Sequence, residues 1–443
     1  MHAMIIRKHL LSSLARGKWK LLISRQLSSV KLHVSKKISL MDEAIVVSGS
    51  GFHPGQQITV RASVKSAADK INLQSLAHIT ANMEGNFDLS KNESVGGTYH
   101  GVNGMGLFWS MKEIEGKLTR FMPADVMIPY RFNFNVFDGY IDDFSNVRSM
   151  AHFEIDRCFY KPDVQRIPVE ENGVYGTLFV PPGKGPFPGI VTIAAFSRKK
   201  GAETQIPAFA NHGFATFLVL YMGEGTLPKS FSDIEIEYFE KAVNMFQAMD
   251  CVLDTGIGAY GRSQAGGIVL SMAAFLDCVQ AVVSVNGSMG SIGIKTTYKD
   301  FCIPKIGTDI TKARIDGFTL LNGGECIDNI SGKPEKQIPI ENSDADILMI
   351  VGEDDKCWNS RQYADIAIER MDRSRKSNLN VVSYPSAGHS IAYPYIPPRI
   401  YDYHGALPVG MVMDYGGQDI KKHVQAQVDA QKKVISFFKE KLT

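Results

Sequence analysis

The sequence predicts two folding units in tandem: an all-β sandwich of immunoglobulin-like type, then an α/β unit on a largely parallel sheet. Three observations carry this. From Asp42 to about Tyr160, short alternating or β-rich runs are separated by turn clusters. After Val164, apolar strand-like runs alternate with helical stretches, the order that builds a sheet covered on both faces. Within that second region, Gly261-Arg262-Ser263-Gln264-Ala265-Gly266 sets a serine between small residues where an apolar run passes into a helical one.

Residues 1–41 come first and are different in kind. They hold nine Lys or Arg and no acid, the first being Asp42, whereas the whole chain of 443 residues has a net charge of only +2. A helix over Ile5 to Leu27 would set Arg7, Lys8, Arg16, Lys18, Lys20 and Arg25 among leucines, a basic amphipathic surface. Residues 1–41 are therefore predicted to be a mitochondrial transit peptide, with the matrix as destination and the cytoplasm or peroxisome as alternatives. Arg25-Gln26-Leu27-Ser28-Ser29 offers a possible cleavage point. Charges interrupt every candidate secretory core, and Lys441-Leu442-Thr443 is not a peroxisomal terminus.

The predicted sandwich, 42–162, has strands at Ala44–Val47, Gln57–Val64, Ala77–Met83, Leu107–Met111, Val126–Val136 and Met150–Ile155. Gly49-Ser50-Gly51, Pro54-Gly55, Gly85-Asn86, Gly96-Gly97 and Phe137-Asp138-Gly139 supply the turns. It holds no grouping of Ser, His and Asp, so its expected work is packing and shaping the neighbouring unit's entrance. The junction falls near Tyr160-Lys161-Pro162-Asp163.

In 163–443 the predicted strands are Val174–Val180, Gly189–Ala195, Phe214–Leu220, the elbow strand, Gln280–Val285, Asp346–Val351 and Leu379–Tyr384. The helices are Glu235–Gln247, Gly267–Leu276, Gln362–Arg370 and Gln425–Lys441, with a helix end at Pro207–His212. Ligands of such sheets bind beyond the carboxyl ends of the strands.

Composition narrows the function classes. Without its leader the chain is net acidic, so it carries no nucleic-acid footprint. No run of 18 apolar residues suits a membrane span. The six cysteines form no C-x-x-C pair and have no histidine at ligand spacing, which fits reduced thiols and predicts neither a metal nor another cofactor. A monomer or weak oligomer is expected.

The chemistry-bearing residues lie at three predicted strand ends. A glycine-flanked serine can merely cap a helix, but a tight strand-to-helix turn also makes a nucleophile elbow. Past Val351 comes Gly352-Glu353-Asp354-Asp355, and past Tyr384 comes Pro385-Ser386-Ala387-Gly388-His389. The order serine, acid, histidine is that of an α/β-hydrolase triad. A seryl oxygen needs His389 as general base, and His389 needs an acid to fix its tautomer. Spacing does not separate Asp354 from Asp355. His404 and His423 compete with His389, but neither follows a predicted strand end. The oxyanion donors expected are the backbone N–H of Gln264 and one from Ala195 or Phe196. The basic Ser197-Arg198-Lys199-Lys200 beside them suits a solvated loop face or the phosphates of an acidic substrate.

The chain resembles the type I acyl-CoA thioesterases and bile acid-CoA:amino acid N-acyltransferase over about Asp42 to Leu442. The resemblance rests on Val47-Ser48-Gly49, Gly104-Met105-Gly106-Leu107-Phe108-Trp109, Gly176-Thr177-Leu178-Phe179-Val180-Pro181-Pro182 and Gly185-Pro186-Phe187-Pro188-Gly189. It continues through the elbow with Leu270-Ser271-Met272-Ala273, Asn286-Gly287-Ser288, Val351-Gly352-Glu353-Asp354-Asp355 with Trp358, and Gly388-His389. It implies an α/β-hydrolase domain preceded by an all-β immunoglobulin-like sandwich, and it selects Ser263, Asp355 and His389. The implied substrate is a fatty acyl-CoA, hydrolysed to CoA and fatty acid through an acyl-enzyme. Transfer of the acyl group to glycine or taurine is the alternative; the conjugating relative uses cysteine, so Ser263 points to water as acceptor. A non-catalytic lipid- or CoA-binding protein and a general esterase are the other readings. The chain departs from the family at Ala195–Lys200, where members carry a glycine-rich loop.

Overall fold

The computed structural model describes residues 30–66, 71–114, 121, 123–193, 195, 202–206, 208–403, 407 and 411–443. The putting of strands side by side follows the apolar patterning. Runs buried on both faces, such as Val279–Val285 and Asp346–Gly352, sit inside an eight-stranded sheet. Its order is Gln165–Glu171, Val174–Val180, Ala215–Leu220, Phe187–Ile193, Val252–Arg262, Val279–Val285, Asp346–Gly352, Leu379–Tyr384. The first three strands pair antiparallel and the remaining pairs are parallel. The edge strand Gln165–Glu171 was not anticipated, because its burial is slight and its composition polar.

Helices cover both faces. Ile236–Gln247 buries Ile236, Phe239, Val243 and Phe246, a stripe at helical spacing. Gln264–Phe275, the helix after the elbow, is buried along almost its whole surface, as its apolar composition requires. The closing helix runs Ile420–Leu442, five residues longer at its start than expected, because Asp419 caps it by accepting from the N–H of Lys422 at 3.2 Å.

The N-terminal unit consists of a three-stranded sheet facing a larger one built around Gln57–Ser66, Ile71–Thr80, Tyr130–Asp138 and Ala151–Cys158. One expectation needs correction. Leu107–Met111 is not a strand: Gly106–Trp109 forms a single helical turn that buries Leu107, Phe108 and Trp109 together. Consecutive residues of a strand alternate faces, so three adjacent bulky side chains find one core only on a helical turn. Upstream of Asp42 the chain also pairs with the sandwich. Lys31–Val34 pairs with Val47–Ser50, and Ile38–Leu40 pairs in parallel with Asp156–Cys158, so strand pairing reaches into the last residues of the expected leader. Arg157 fixes that segment. Its side chain is fully buried and donates to Met41 O at 2.7 Å, Glu43 O at 3.0 Å and Ser39 Oγ at 3.3 Å, with the guanidinium over the Phe108 ring. The rest of the proposed leader, and Arg25–Ser29 with it, lies outside the described residues.

The two units share one apolar core. Phe159, Tyr160 and Val164 pack with Phe179, Leu218, Leu220 and Tyr393, and Tyr160 stacks on Phe179 at 4.5 Å. Asn211 closes the junction, accepting from Lys161 N and donating to Phe159 O. Among the described residues no helix is long and apolar enough to cross a membrane. All six cysteines are free.

Candidate active site

Ser263 sits between the strand Val252–Arg262 and the helix beginning at Gln264, with φ 60° and ψ −131°. A serine rarely holds a positive φ, and the surroundings must enforce it. They do so by close approach. A Cβ on Gly261 would lie 2.1 Å from the Ala265 carbonyl oxygen, and one on Gly266 would lie 2.6 Å from Gly287 Cα. The glycines the turn needs are therefore 261 and 266, and Ala265 is tolerated, fully buried, between them.

Parallel pairing brings the other loops to the same edge. Ile193 is in register with Gly261, Arg262 with Val285, Val285 with Ile350 and Gly352 with Tyr384. The residues that follow these strand ends leave the sheet side by side. His389 Nε2 lies 2.8 Å from Ser263 Oγ, and His389 Nδ1 lies 2.7 Å from Asp355 Oδ2. An ionised carboxylate only accepts, so Nδ1 carries the proton and Nε2 is left to accept from the serine.

Each member is held by neighbours that composition did not reveal. The Asp355 side chain is 1% exposed. Its Oδ1 accepts from the N–H groups of Cys357 at 2.9 Å and Trp358 at 3.2 Å, and its Oδ2 also accepts from Ser360 Oγ at 2.6 Å. Asp354 faces elsewhere, toward Lys356 and the N–H of Gly417. Burial works against its charge, yet these donors hold its carboxyl below the usual range. The geometry thus separates the two adjacent aspartates, which spacing alone did not.

The His389 ring is met edge-on by Trp358 at 4.9 Å and by Tyr415 at 5.2 Å, while its main-chain N–H donates to Tyr415 O at 2.6 Å. Burial disfavours the imidazolium, but the Asp355 carboxylate outweighs it, with Cys357 adding to the effect, and the pKa is raised above the ordinary 6.5. His423, a rival from sequence, is fully buried behind this loop. Its Nδ1 accepts from Gly388 N–H at 3.0 Å and its Nε2 donates to Ser390 O at 3.1 Å. Burial lowers its pKa, which suits a neutral ring with both nitrogens occupied. His423 therefore clamps the residues on either side of His389. His404 lies outside the described residues.

Asn286 directly follows the strand Val279–Val285, within the family motif Asn286-Gly287-Ser288. It has φ 46° and ties the carboxylate turn to the histidine loop. Its amide donates to Gly388 O and His389 O and accepts from Gly352 N–H, while its own carbonyl receives Trp358 Nε1. Of the oxyanion candidates, Gln264 is buried as the first residue of its helix, where a backbone N–H has no intrahelical partner and the dipole favours negative charge. Ala195 lies in the turn after Ile193, half-buried against the sheet core. Phe196, with Ser197–Lys200, lies outside the described residues. Among the described residues no cluster of His, Cys, Asp or Glu is arranged to hold a metal.

Sheet order and elbow together place the C-terminal unit among the α/β-hydrolases. Comparison with known sequences makes the assignment narrower. The profile described as "BAAT / Acyl-CoA thioester hydrolase C terminal" matches residues 234–443, and "Acyl-CoA thioester hydrolase/BAAT N-terminal region" matches 42–171. The chain is 34% identical over 402 residues to the mouse peroxisomal succinyl-coenzyme A thioesterase, covering 90% of this chain and 94% of that one. It is 34% identical to mouse mitochondrial acyl-coenzyme A thioesterase 2 (91% and 87% covered) and 34% identical to human acyl-coenzyme A thioesterase 6 (90% and 94% covered). The chain belongs to the family of acyl-CoA thioester hydrolases and bile acid-CoA:amino acid N-acyltransferases.

Proposed function

We propose that this protein hydrolyses acyl-CoA thioesters with Ser263 as nucleophile, His389 as general base and Asp355 as the group that orients it. The observation that carries this reading is the continuous hydrogen-bonded row from Ser263 Oγ through the imidazole to Asp355, at 2.8 and 2.7 Å. Ser263 Oγ attacks the thioester carbonyl as its proton passes to His389 Nε2. The oxyanion is received by the N–H of Gln264 and by one from the Ala195–Phe196 turn. The C–S bond then breaks, and CoA thiolate leaves, taking the proton from His389. Water, losing a proton to His389, attacks the acyl-enzyme ester, and the fatty acid departs as Ser263 regains its proton.

Water is favoured over an amine acceptor by the nucleophile, since an ester intermediate is less prone to aminolysis than a thioester. The acid-free leader supports delivery to the mitochondrial matrix, and the names of related proteins include both mitochondrial and peroxisomal ones. The test is turnover of a panel of acyl-CoAs, from short to very long, with and without glycine or taurine. Free CoA with free fatty acid is the expected product in both arms. An amide product would move the assignment to acyl transfer, and absence of CoA release from every acyl-CoA would overturn it.

A further inference from the structure

A small four-stranded sheet beside the triad runs in the order Ile315–Asp316, Thr319–Leu320, Val412–Asp414, Tyr401–Tyr403. Its two ends differ. At the inner end Asp414 leads into Tyr415, whose ring meets His389 edge-on at 5.2 Å and whose carbonyl accepts from the His389 N–H. Leu320 and Met413 pack there with Cys357, two residues after Asp355. At the outer end Thr319 and Tyr403 both pair with Val412, and the hairpin turns through Gly317-Phe318.

The hairpin displays apolar side chains to solvent. Phe318 is 76% exposed, Ile310 80%, Ile315 57% and Tyr403 52%, and Leu321 is partly exposed. The turn accounts for Gly317, which has φ 55°, but makes no demand for a phenylalanine at its tip. The display is braced rather than loose. Asn322 is buried at the root, where its side chain accepts from Arg314 N–H at 2.7 Å and donates to Lys312 O at 3.0 Å. Asp309 caps the turn Ile310–Lys312 by accepting from the N–H and the hydroxyl of Thr311. Lys312 and Arg314 stand exposed between Ile310 and Ile315. Their pairs with Asp309 and Glu325 are open to water, where such pairs are weak.

These five side chains present about 500 Å² of largely apolar surface, the size at which an exposed patch marks a contact. Each partner in a stable protein complex covers about 800 Å² in a face of matching shape. A narrow tip of interleaved aliphatic, aromatic and basic side chains falls short of that. It suits the head-group boundary of a lipid bilayer, where apolar groups enter, tyrosine sits at the interface and long cationic side chains reach the phosphates. We propose that this protein docks reversibly on a bilayer surface through the 310–321 hairpin and Tyr403. Three residues of extended chain, about 10 Å, separate Val412 at the outer end from Tyr415 at the triad. Docking therefore holds the triad within one long acyl chain of the membrane. Resting on the thioester-hydrolase reading above, this gives the enzyme direct access to long-chain acyl-CoA partitioned into the bilayer.

The test is co-sedimentation with vesicles of equal parts phosphatidylcholine and phosphatidylglycerol. Wild type is expected to bind, and Phe318→Ser and Ile310→Ser each to lower the partition coefficient about tenfold or more with the thermal midpoint unchanged. Wild type that stays in the supernatant, or binding that ignores both substitutions, overturns the docking. Binding that high salt abolishes and Phe318→Ser leaves alone also overturns it, by assigning the contact to charge. A wild-type dimer in sedimentation velocity that Phe318→Ser dissociates gives the tip to a second copy and overturns it likewise. Turnover separates this inference from the reading it rests on. Phe318→Ser is expected to raise KM about tenfold for palmitoyl-CoA loaded on the vesicles and to leave octanoyl-CoA in solution unchanged. An unaltered KM for the loaded substrate overturns delivery from the membrane. Wild type that binds vesicles but releases CoA from neither substrate leaves the docking standing and removes thioester hydrolysis.

Discussion

The side-chain amide of Asn286 donates to the main-chain carbonyl of His389 at 2.9 Å, and to that of Gly388 at 3.1 Å. Its oxygen accepts from Gly352 at 2.7 Å, at the strand end that leads to Asp355. One short side chain thereby sets the distance between the histidine and carboxylate loops. Asn286→Gly keeps the positive φ at that position and removes only the amide. It is expected to cost about 2 to 4 kcal/mol in urea unfolding, from three lost bonds to buried backbone. A fall in kcat with KM nearly unchanged is expected alongside, since the row loosens without losing a substrate contact. Unaltered stability and kcat would show that the latch is not needed.

Ser263→Ala removes the nucleophile and little else. The helix behind it and the glycines around it keep the turn. The expected result is a drop in kcat of about 10⁴-fold or more with the thermal midpoint nearly unchanged. The parent enzyme should be labelled by a fluorophosphonate at Ser263, and the variant should not. Residual hydrolysis near the parent rate would remove Ser263 from the mechanism.

How far the sequence could be read depended on whether a feature is local. The elbow is local, because its glycines, serine and following apolar helix lie within a few residues, and strand ends bearing Asp355 and His389 follow directly from apolar runs. The choice between Asp354 and Asp355 depends on which carboxylate turns back toward Ser360 and the Trp358 N–H, which is a property of one turn's direction. The roles of Asn286 and His423 are contacts across more than thirty residues of chain and leave no periodic signal. Leu107–Met111 misled because an apolar run is read by β-propensity until the partner that forces a helical turn is known. The same holds at the N-terminus. Basic composition extends through residues 31–41, whereas their pairing with Val47–Ser50 and Asp156–Cys158 is visible only in three dimensions.

Asp355 raises the pKa of His389 despite burial, and this fixes the sign of two pH effects. The base must be neutral to take the serine proton, so kcat/KM is expected to climb with pH through a value above the ordinary imidazole pKa of 6.5. In Asp355→Asn that limb should shift down in pH while the maximal rate falls by several orders of magnitude. For stability, a raised folded pKa means the pair's contribution is complete below 6.5 and is withdrawn as pH rises through the folded value. Thermal midpoints of parent and Asp355→Asn should accordingly converge at high pH. A limb that ignores the Asp355 substitution would separate the carboxylate from the titration.

Residues 31–41 are expected to be needed for folding even though their composition resembles the leader. A chain begun at Val30 retains both strands, whereas one begun at Asp42 loses them together with two of the three acceptors of Arg157, the Met41 carbonyl and the Ser39 hydroxyl. Arg157 is fully buried, and with only Glu43 O left to accept from it, its other guanidinium donors stay unsatisfied. Leaving a buried cation short of partners costs about 3 to 5 kcal/mol, before the lost packing of Met41 is counted. The chain from Val30 should match the full-length protein in thermal midpoint and turnover. The chain from Asp42 should melt well below it or accumulate insoluble, and Arg157→Met should recover part of the difference by removing the charge that the missing segment served. If the Asp42 chain is as stable as the Val30 chain, the two strands are dispensable. Any processing of the leader would then be free to reach Met41; otherwise it must stop before Lys31.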